Sequence, residues 1–302
     1  MLIRELKTIK LYSVLIILII ILILNCIFLY SKITYKKGLR ICTWNVEWFG
    51  LPQNKELFNS IDLPLYDKMI DNMYDIKYYM NIVNADIICF QEIASTITLN
   101  VLTEYLKDYD LYSDASVVGK SQQYNVFLVK KNINVTLFKV LDDNHKMIRL
   151  DFKYNGEEIS LYNVHLKSDY SGNFARKRRE QTDFLYDYIQ KHDNKNIIIS
   201  GDMNSDPGSE ELKKLEEKFI NIIFSRKSML PLGKRNTIWW DKDENDLITK
   251  DEIKLVDYYL TSINIYNMVD QMLIFTILYQ KLFEEDSANK ISDHYPIILD
   301  LH

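Results

Sequence analysis

Asn196-Ile197-Ile198-Ile199-Ser200-Gly201-Asp202-Met203-Asn204 is the stretch on which the reading of this chain turns. Ile197, Ile198, Ile199 and Ser200 make a short apolar run of the kind that forms a strand buried on both faces. The run ends in a carboxylate and an amide two residues apart. In extended chain, residues i and i+2 point to the same side. Asp202 and Asn204 are therefore expected to project together from the rim of a rigid sheet. An acceptor-only carboxylate beside an amide that can donate suits a water nucleophile next to an anionic substrate. The plainer reading is a turn, because Gly-Asp and Asn-Ser-Asp-Pro-Gly are good turn chemistry. The rest of the chain has to decide between them.

Outward from that stretch, apolar strands recur. Leu39 to Val46 reads as a strand running into Glu47-Trp48 and broken by Gly50, Leu51 and Pro52. Met69, Met73, Ile76, Met80 and Val83 have helical spacing over Tyr66 to Val83. Ala85 to Phe90 is a second apolar strand that runs into Gln91-Glu92, with a helix following over Ile97 to Lys107. Strands are expected over 125–130, 135–140, 146–153 and 158–165, and Asn155-Gly156 is a hairpin signal between the last two. Helices are expected over 174–190 and 209–219, and closing strands over 254–260 and 295–301. Hairpin and crossover links with helices between some strands suggest two packed sheets flanked by helices.

These strands repeatedly end in residues of catalytic type. The first ends in Asn45 and Glu47, the second in Gln91 and Glu92, and the Ile159 strand in His165 and Lys167. Asp257 opens the Val256 strand, and Ser292-Asp293-His294 stands before the last one. A single strand-end Asn or Asp is usually a turn or cap residue. Six such sites on rigid sheet termini are how active sites are commonly assembled.

The set resembles the endonuclease/exonuclease/phosphatase superfamily, the deoxyribonuclease-I-like fold. The matching segments are Thr43-Trp44-Asn45-Val46-Glu47, Asp86-Ile87-Ile88-Cys89-Phe90-Gln91-Glu92, Asn163-Val164-His165-Leu166-Lys167-Ser168, Ser200-Gly201-Asp202-Met203-Asn204, Val256-Asp257-Tyr258-Tyr259-Leu260 and Ser292-Asp293-His294-Tyr295-Pro296. They stand in the family order over residues 40 to 301. The resemblance implies an α/β (α+β) four-layer sandwich of two packed mixed β-sheets flanked by helices. It also implies metal-dependent phosphoester hydrolysis. Glu92 is then the leading metal ligand, with Asn45 and Asp293 completing the shell. Mg²⁺ is the expected ion, Mn²⁺ its substitute, since hard cations prefer oxygen ligands. Asp202 would orient or deprotonate the attacking water. Asn204 and Asn45 would donate to phosphate oxygens. His294 would bind a phosphate oxygen or pass a proton, held by Asp257. His165 would protonate the leaving group or contact phosphate.

Two further elements carry chemistry of their own. Arg176-Lys177-Arg178-Arg179 opens a helix, where cations oppose the dipole. Such a run is usually a solvated face; the functional reading puts Lys167, Arg176 and Arg179 on substrate phosphate. Asp241, Asp243, Asn245 and Glu252 fall at positions 1, 3, 5 and 12 of a calcium-loop pattern. Asp246 stands where that loop needs Gly, so a charged hairpin competes with a second, Ca²⁺ site.

Composition bounds the rest. Leu11 to Tyr30 is twenty residues of nearly unbroken apolar character, roughly 30 Å as a helix and one hydrocarbon thickness. It lacks a polar stripe and an Ala-x-Ala-like cleavage site, so an uncleaved single-span anchor fits best. Lipidation at Cys26 is the rival. The expected organisation is a basic segment 1–10, an anchor 11–30, a tether 31–38 and a catalytic domain 39–302, monomeric and outside the cytoplasm. Positive charge flanks both ends of the span, so orientation is weakly encoded. Setting aside Arg4, Lys7, Lys10 and Glu5 takes the 37 Lys+Arg and 42 Asp+Glu to 34 and 41, a formal −7. That argues against a broad basic footprint for nucleic acid. Three cysteines exclude a disulfide scaffold, and Cys42 and Cys89 read as small buried hydrophobes. Nucleic acid is the leading substrate. A sphingomyelinase-type phospholipase or an inositol or lipid phosphatase is the alternative, with a phospholipid or phosphorylated small molecule as substrate; Gln271 to Tyr279 could then face a membrane, although a core strand or helix is the favoured reading of that segment. A catalytically dead binding module is the third reading.

Overall fold

The computed structural model of the protein describes residues 38–50, 63–116, 123–142, 146–169, 172–192, 195–229, 237–239, 253–274, 292 and 294–302, together with 16, 19 and 20. The chain divides into two units, Met1–Lys36 and Lys37–His302. The expected span Leu11–Tyr30 lies outside the described residues, save Ile16, Ile19 and Ile20. Among the described residues no helix is long and apolar enough to cross a membrane. The calcium-loop residues Asp241, Asp243, Asn245 and Glu252 also lie outside them, as does Asp293.

The second unit is built on two six-stranded mixed sheets. The first contains β1 (Leu39–Phe49), β2 (Ile87–Ile93), β3 (Tyr109–Ser113), β4 (Tyr124–Lys130), β13 (Val269–Ile274) and β14 (Ile297–Leu301), in the order β13-β14-β1-β2-β4-β3. The second contains β5 (Asn134–Asp142), β6 (Met147–Tyr154), β7 (Glu157–His165), β8 (Ile197–Asp202), β9 (Ile220–Asn221) and β12 (Asp257–Thr261), in the order β5-β6-β7-β8-β12-β9. Each sheet has one parallel pair at its centre, β1 with β2 and β7 with β8. A crossover helix links each pair: α1 (Leu63–Val83) and α3 (Ala175–His192). Helix α2 (Thr96–Tyr105) follows β2, while α4 (Lys213–Glu216) and α5 (Ile263–Met268) are short. A two-stranded hairpin pairs β10 (Ile238–Trp239) with β11 (Ile253–Lys254). The expected two packed mixed sheets flanked by helices are what forms.

Alternation explains how the sheets face each other. On β1, Trp44 packs edge-on against Tyr79 of α1, and Arg40 donates to Val83 O and pairs with Asp300. That row is the outer face. Ile41, Thr43 and Asn45 make the inner row. On β7 the inner row is Leu161, Asn163, His165; on β8 it is Ile198, Ser200, Asp202; on β12 it is Thr261, Tyr259, Asp257. The inter-sheet bonds fit this phase. Gln91 Nε2 donates across the sheets to Asn163 Oδ1 at 2.7 Å and within its own sheet to Thr43 Oγ1 at 3.1 Å, and Tyr259 Oη donates across to Ile41 O and Ile297 O. Gln91, placed by its sequence position at a strand end, is therefore an inter-sheet clip beneath the rim. Cys42 and Cys89 are fully buried and free, and burial pushes the Cys89 thiol up to about 12.

Two segments differ from expectation. Residues 209–219 form turns and the single-turn α4 rather than a full helix, because the chain leaves Pro207-Gly208 through tight turns such as Leu212 N–H to Ser209 O. Tyr109–Ser113 is an edge strand that its polar alternation hid. Gln271–Ile274 belongs to β13, hydrogen-bonded to β14 with Met272 and Ile274 buried, which is the core reading of that apolar segment. Residues 275–279 lie outside the described residues.

Candidate active site

The parallel pairs put the carboxyl ends of β1, β2, β7 and β8 at one end of the sandwich. The antiparallel β12 begins there, since Asp257 is the register partner of Asp202, as His165 is. The inner rows therefore deliver Asn45, His165, Asp202 and Asp257 to a common rim between the sheets. All four are buried. Gly201 allows the approach: its φ is +131°, and a Cβ there would meet Val164 O at 2.0 Å.

Alternation alone would send Glu92 to the outer face, because Cys89 and Gln91 occupy the inner row. The register of β2 with β4 shifts between Phe90 and Ile93, and Glu92 takes φ +65°. This bulge turns its side chain into the rim. Asn45 Nδ2 donates to Glu92 Oε1 at 3.2 Å and to Asp202 Oδ2 at 3.0 Å, so one amide bridges the two carboxylates.

Asp202 is held from both sides. The Asn204 N–H donates to its Oδ1 at 2.8 Å and Asn204 Nδ2 to its Oδ2 at 2.9 Å. Asn204 also donates to Leu166 O at 3.0 Å and has φ +47°. The two residues thus meet through an Asx-turn after β8, not through strand alternation. The turn and the site are one structure. Burial pushes the Asp202 carboxyl up to about 7, with the Asp257 charge adding to it; His294 and the donors from Asn204 and Asn45 oppose it.

His294 stands outside the regular strands. Trp44 Nε1 donates to its carbonyl at 3.0 Å, its N–H donates to Ser292 Oγ, and Ser292 Oγ donates to Asn45 O at 2.7 Å. Its ring Nδ1 lies 2.8 Å from Asp257 Oδ2. Asp257 Oδ1 is buried without a hydrogen-bond partner. His165 Nε2 lies 3.4 Å from Glu92 Oε1 and 3.8 Å from Asp202 Oδ2. Burial, then Lys146, His294 and Lys167, pushes its pKa well below the ordinary value, so the imidazole is neutral at pH 7.

The donor set fits a divalent cation. Asp202 and Asp257 are buried carboxylates beside each other, and the orphaned Asp257 oxygen marks uncompensated acceptor capacity. Ligand atoms of Asp202, Asp257 and His294 all lie within 4.8 Å of one another. A cation bound through His294 Nδ1 or Asp257 Oδ2 would have to displace the 2.8 Å bond between them. Glu92 offers carboxylate oxygens of the kind hard cations favour, whereas Asn45 Oδ1 already accepts the Glu47 N–H at 3.0 Å and would have to leave it to ligate.

The basic residues separate. Arg176 is 93% exposed and pairs with Glu180 on its own helix, and Arg179 is exposed; neither hydrogen-bonds to the cluster. Arg178 is buried instead. It donates to Lys167 O, to both oxygens of Asp169, to Ser205 Oγ and to Glu211 Oε1. Gln181, one turn on, accepts the Lys167 N–H at 2.9 Å. The exposed Lys167 has its peptide gripped on both sides, with its ammonium 4.9 Å from the Phe174 ring centroid. Sequence reasoning missed Arg178 and Gln181 as a clamp, although their i, i+3 spacing puts both on one helix face. It also missed Gln123 and Lys146, for which no local signal exists.

Fold and site together define a hydrolytic phosphoesterase. A family model described as Endonuclease/Exonuclease/phosphatase family matches residues 42–250, and the chain belongs to that family. A comparison with curated proteins returns no match. Among solved structures, truncated Caenorhabditis elegans TDP2 is similar at 16% identity and TM-score 0.62, covering 87% of this chain and 96% of that one. D. rerio TDP2 complexed with single strand DNA product is similar at 14% identity and TM-score 0.62, covering 87% and 98%. An endonuclease/exonuclease/phosphatase from Bacteroides vulgatus is similar at 14% identity and TM-score 0.63, covering 88% and 99%.

Proposed function

We propose that this protein is a membrane-anchored, divalent-metal-dependent phosphodiesterase that hydrolyses nucleic acid through a water activated by Asp202. The observation that carries this reading is the grip on Asp202: three N–H donors from Asn45 and Asn204 aim a buried carboxylate between His165 and the Asp257–His294 pair. Asp202 accepts the proton of the attacking water, which its raised pKa favours. Asn45 and Asn204 hold its oxygens in place; to reach a phosphate oxygen, Asn45 Nδ2 would exchange its bond to Glu92 Oε1 and Asn204 Nδ2 its bond to Leu166 O. His294 Nδ1–H donates to Asp257, and with Nε2 also protonated the imidazolium would donate to a phosphate oxygen. Neutral His165 presents an Nε2–H donor to phosphate or the leaving oxygen. Glu92 and Asn45, with Asp293, would hold Mg²⁺ or Mn²⁺, which would supply charge neutralisation at the phosphate and stabilisation of the leaving oxygen.

Nucleic acid as substrate is supported by likeness to D. rerio TDP2, whose structure was solved with a single strand DNA product. Phospholipid or inositol phosphate is favoured only by the apolar run Leu11–Tyr30, which would hold an enzyme near lipid. The deciding experiment is hydrolysis by the purified protein, with and without Mg²⁺, of plasmid DNA, RNA, sphingomyelin and inositol phosphates. Mg²⁺-dependent cleavage of DNA or RNA is expected. Turnover of sphingomyelin or inositol phosphates alone selects the lipid reading, and turnover of none selects a binding module. The anchor reading, with the catalytic domain outside the cytoplasm, expects the domain to be digested by protease added to intact cells. Full protection overturns it.

A further inference from the structure

We infer that Gln123 and Lys146 are positioning residues that set the orientation in which the Glu92 carboxylate holds its divalent cation. The inference rests on the reading above that Glu92 holds that cation.

Glu92 sits on a bulge at positive φ, where the strand ladder no longer fixes its direction. Its two oxygens have different neighbours. Oε1 faces Asn45 Nδ2 at 3.2 Å and His165 Nε2 at 3.4 Å. Oε2 accepts from Gln123 Nε2 at 2.7 Å, the shortest of these contacts. An amide has nearly the same outline when flipped, so Gln123 could turn either its oxygen or its NH₂ toward Glu92. Lys146 removes that freedom. Its Nζ donates to Gln123 Oε1 at 2.7 Å. The flipped amide would set oxygen against carboxylate and NH₂ against ammonium, and both contacts repel.

Lys146 is itself anchored. Its carbonyl accepts the His165 N–H at 3.1 Å and Asn125 Nδ2 at 2.6 Å. The relay therefore runs from the β7 end, through Lys146 and Gln123, to the bulge of β2. It ties the Glu92 carboxylate in one sheet to the His165 strand in the other. Partners of this kind orient metal ligands and commonly change metal affinity by ~10–100-fold when removed.

The test is calorimetric titration of the full-length protein with Mn²⁺ in the absence of substrate, on wild type, Glu92→Gln, Gln123→Met, Lys146→Met and the double variant. Gln123→Met keeps the side-chain volume and removes both hydrogen bonds; Gln123→Asn, too short to reach both partners, serves as the second variant. Gln123→Met is expected to bind Mn²⁺ ~10–100-fold more weakly, with an unchanged circular dichroism spectrum. Removing Lys146 also removes a positive charge, which alone tightens cation binding, so its role is read from the double-mutant cycle, where the charge effect cancels. Lys146→Met is expected to weaken binding at least ~5-fold more in the wild-type background than beside Gln123→Met. Additive effects, or wild-type affinity in Gln123→Met and Gln123→Asn, overturn the relay. Wild-type affinity in Glu92→Gln overturns the underlying reading of Glu92 instead.

Discussion

Asp202 takes three N–H donors and is 1% exposed, yet burial and Asp257 still push it toward neutral pH. A carboxylate is kept in such a place only at a cost, which the proposed catalytic role would account for. Asp202→Asn and His294→Ala should each lower kcat by about 10²–10⁴-fold while the far-UV spectrum and melting temperature stay near wild type. Near-normal turnover in both would refute their roles. Asp114 is a cleaner pH probe. Its Oδ1 accepts the Asn125 N–H, its Oδ2 has no hydrogen-bond partner, and burial pushes it up to about 7. The folded pKa lies above the unfolded one, so the folded state holds this proton more tightly. Its contribution to stability is greatest below about pH 4 and is lost as pH rises to about 7. Asp114→Asn should therefore gain melting temperature relative to wild type between pH 5 and pH 8. An equal difference at both would contradict the assignment.

At the scale of elements, the site depends on departures from regularity. The bulge in β2 aims Glu92, the Asx-turn after β8 brings Asn204 onto Asp202, and Gly201 lets β8 lie close to β7. The N-terminal turn of α3 works as a clamp. Arg178 joins the loop leaving β7 to the loop leaving β8, through Asp169 and Lys167 on one side and Ser205 and Glu211 on the other. Breaking it leaves Glu211 and Ser205 short of a buried partner. Arg178→Met should cost about 2–4 kcal/mol in urea unfolding, and Arg178→Lys should recover only part, since an ammonium cannot reproduce the planar fork. Unchanged stability in Arg178→Met would show the clamp to be idle. A neighbouring cation differs: Arg176→Ala, at 93% exposure, should change stability by less than about 0.5 kcal/mol.

For the whole molecule, charge constrains how the substrate is held. The chain is acidic, with a formal net charge of −5, and Arg178 is consumed inside the fold. On the proposed reading, recognition rests on the rim rather than on a broad basic surface. With one or two phosphate contacts, KM for DNA should rise only about 3- to 12-fold between 50 and 200 mM salt. A rise of a thousandfold would reveal an extended basic footprint instead. The two-sheet plan supplies the rigidity such a site needs: each sheet contributes carboxyl ends of a parallel pair, and Gln91 with Asn163 fastens them just below.

By itself the sequence determined most of the strands and their polar ends, because apolar runs and period-two alternation are local properties. Asn45, His165, Asp202 and Asp257 are each the inner-row residue at a strand end, so counting by two from the core reaches them. Glu92 was legible by type and place but not by direction, since its bulge follows from pairing with β4. The Arg-rich run could not be divided by reading. Arg178 is buried because two loops far apart in the chain, around Asp169 and Glu211, converge on it, while Arg176 meets only its own helix. Gln123 and Lys146 carry no signal of their own; only packing of the two sheets sets an ammonium, an amide and a carboxylate in line. Periodicity is written residue by residue, whereas the burial and pairing of a charge depend on segments that only the folded chain brings together.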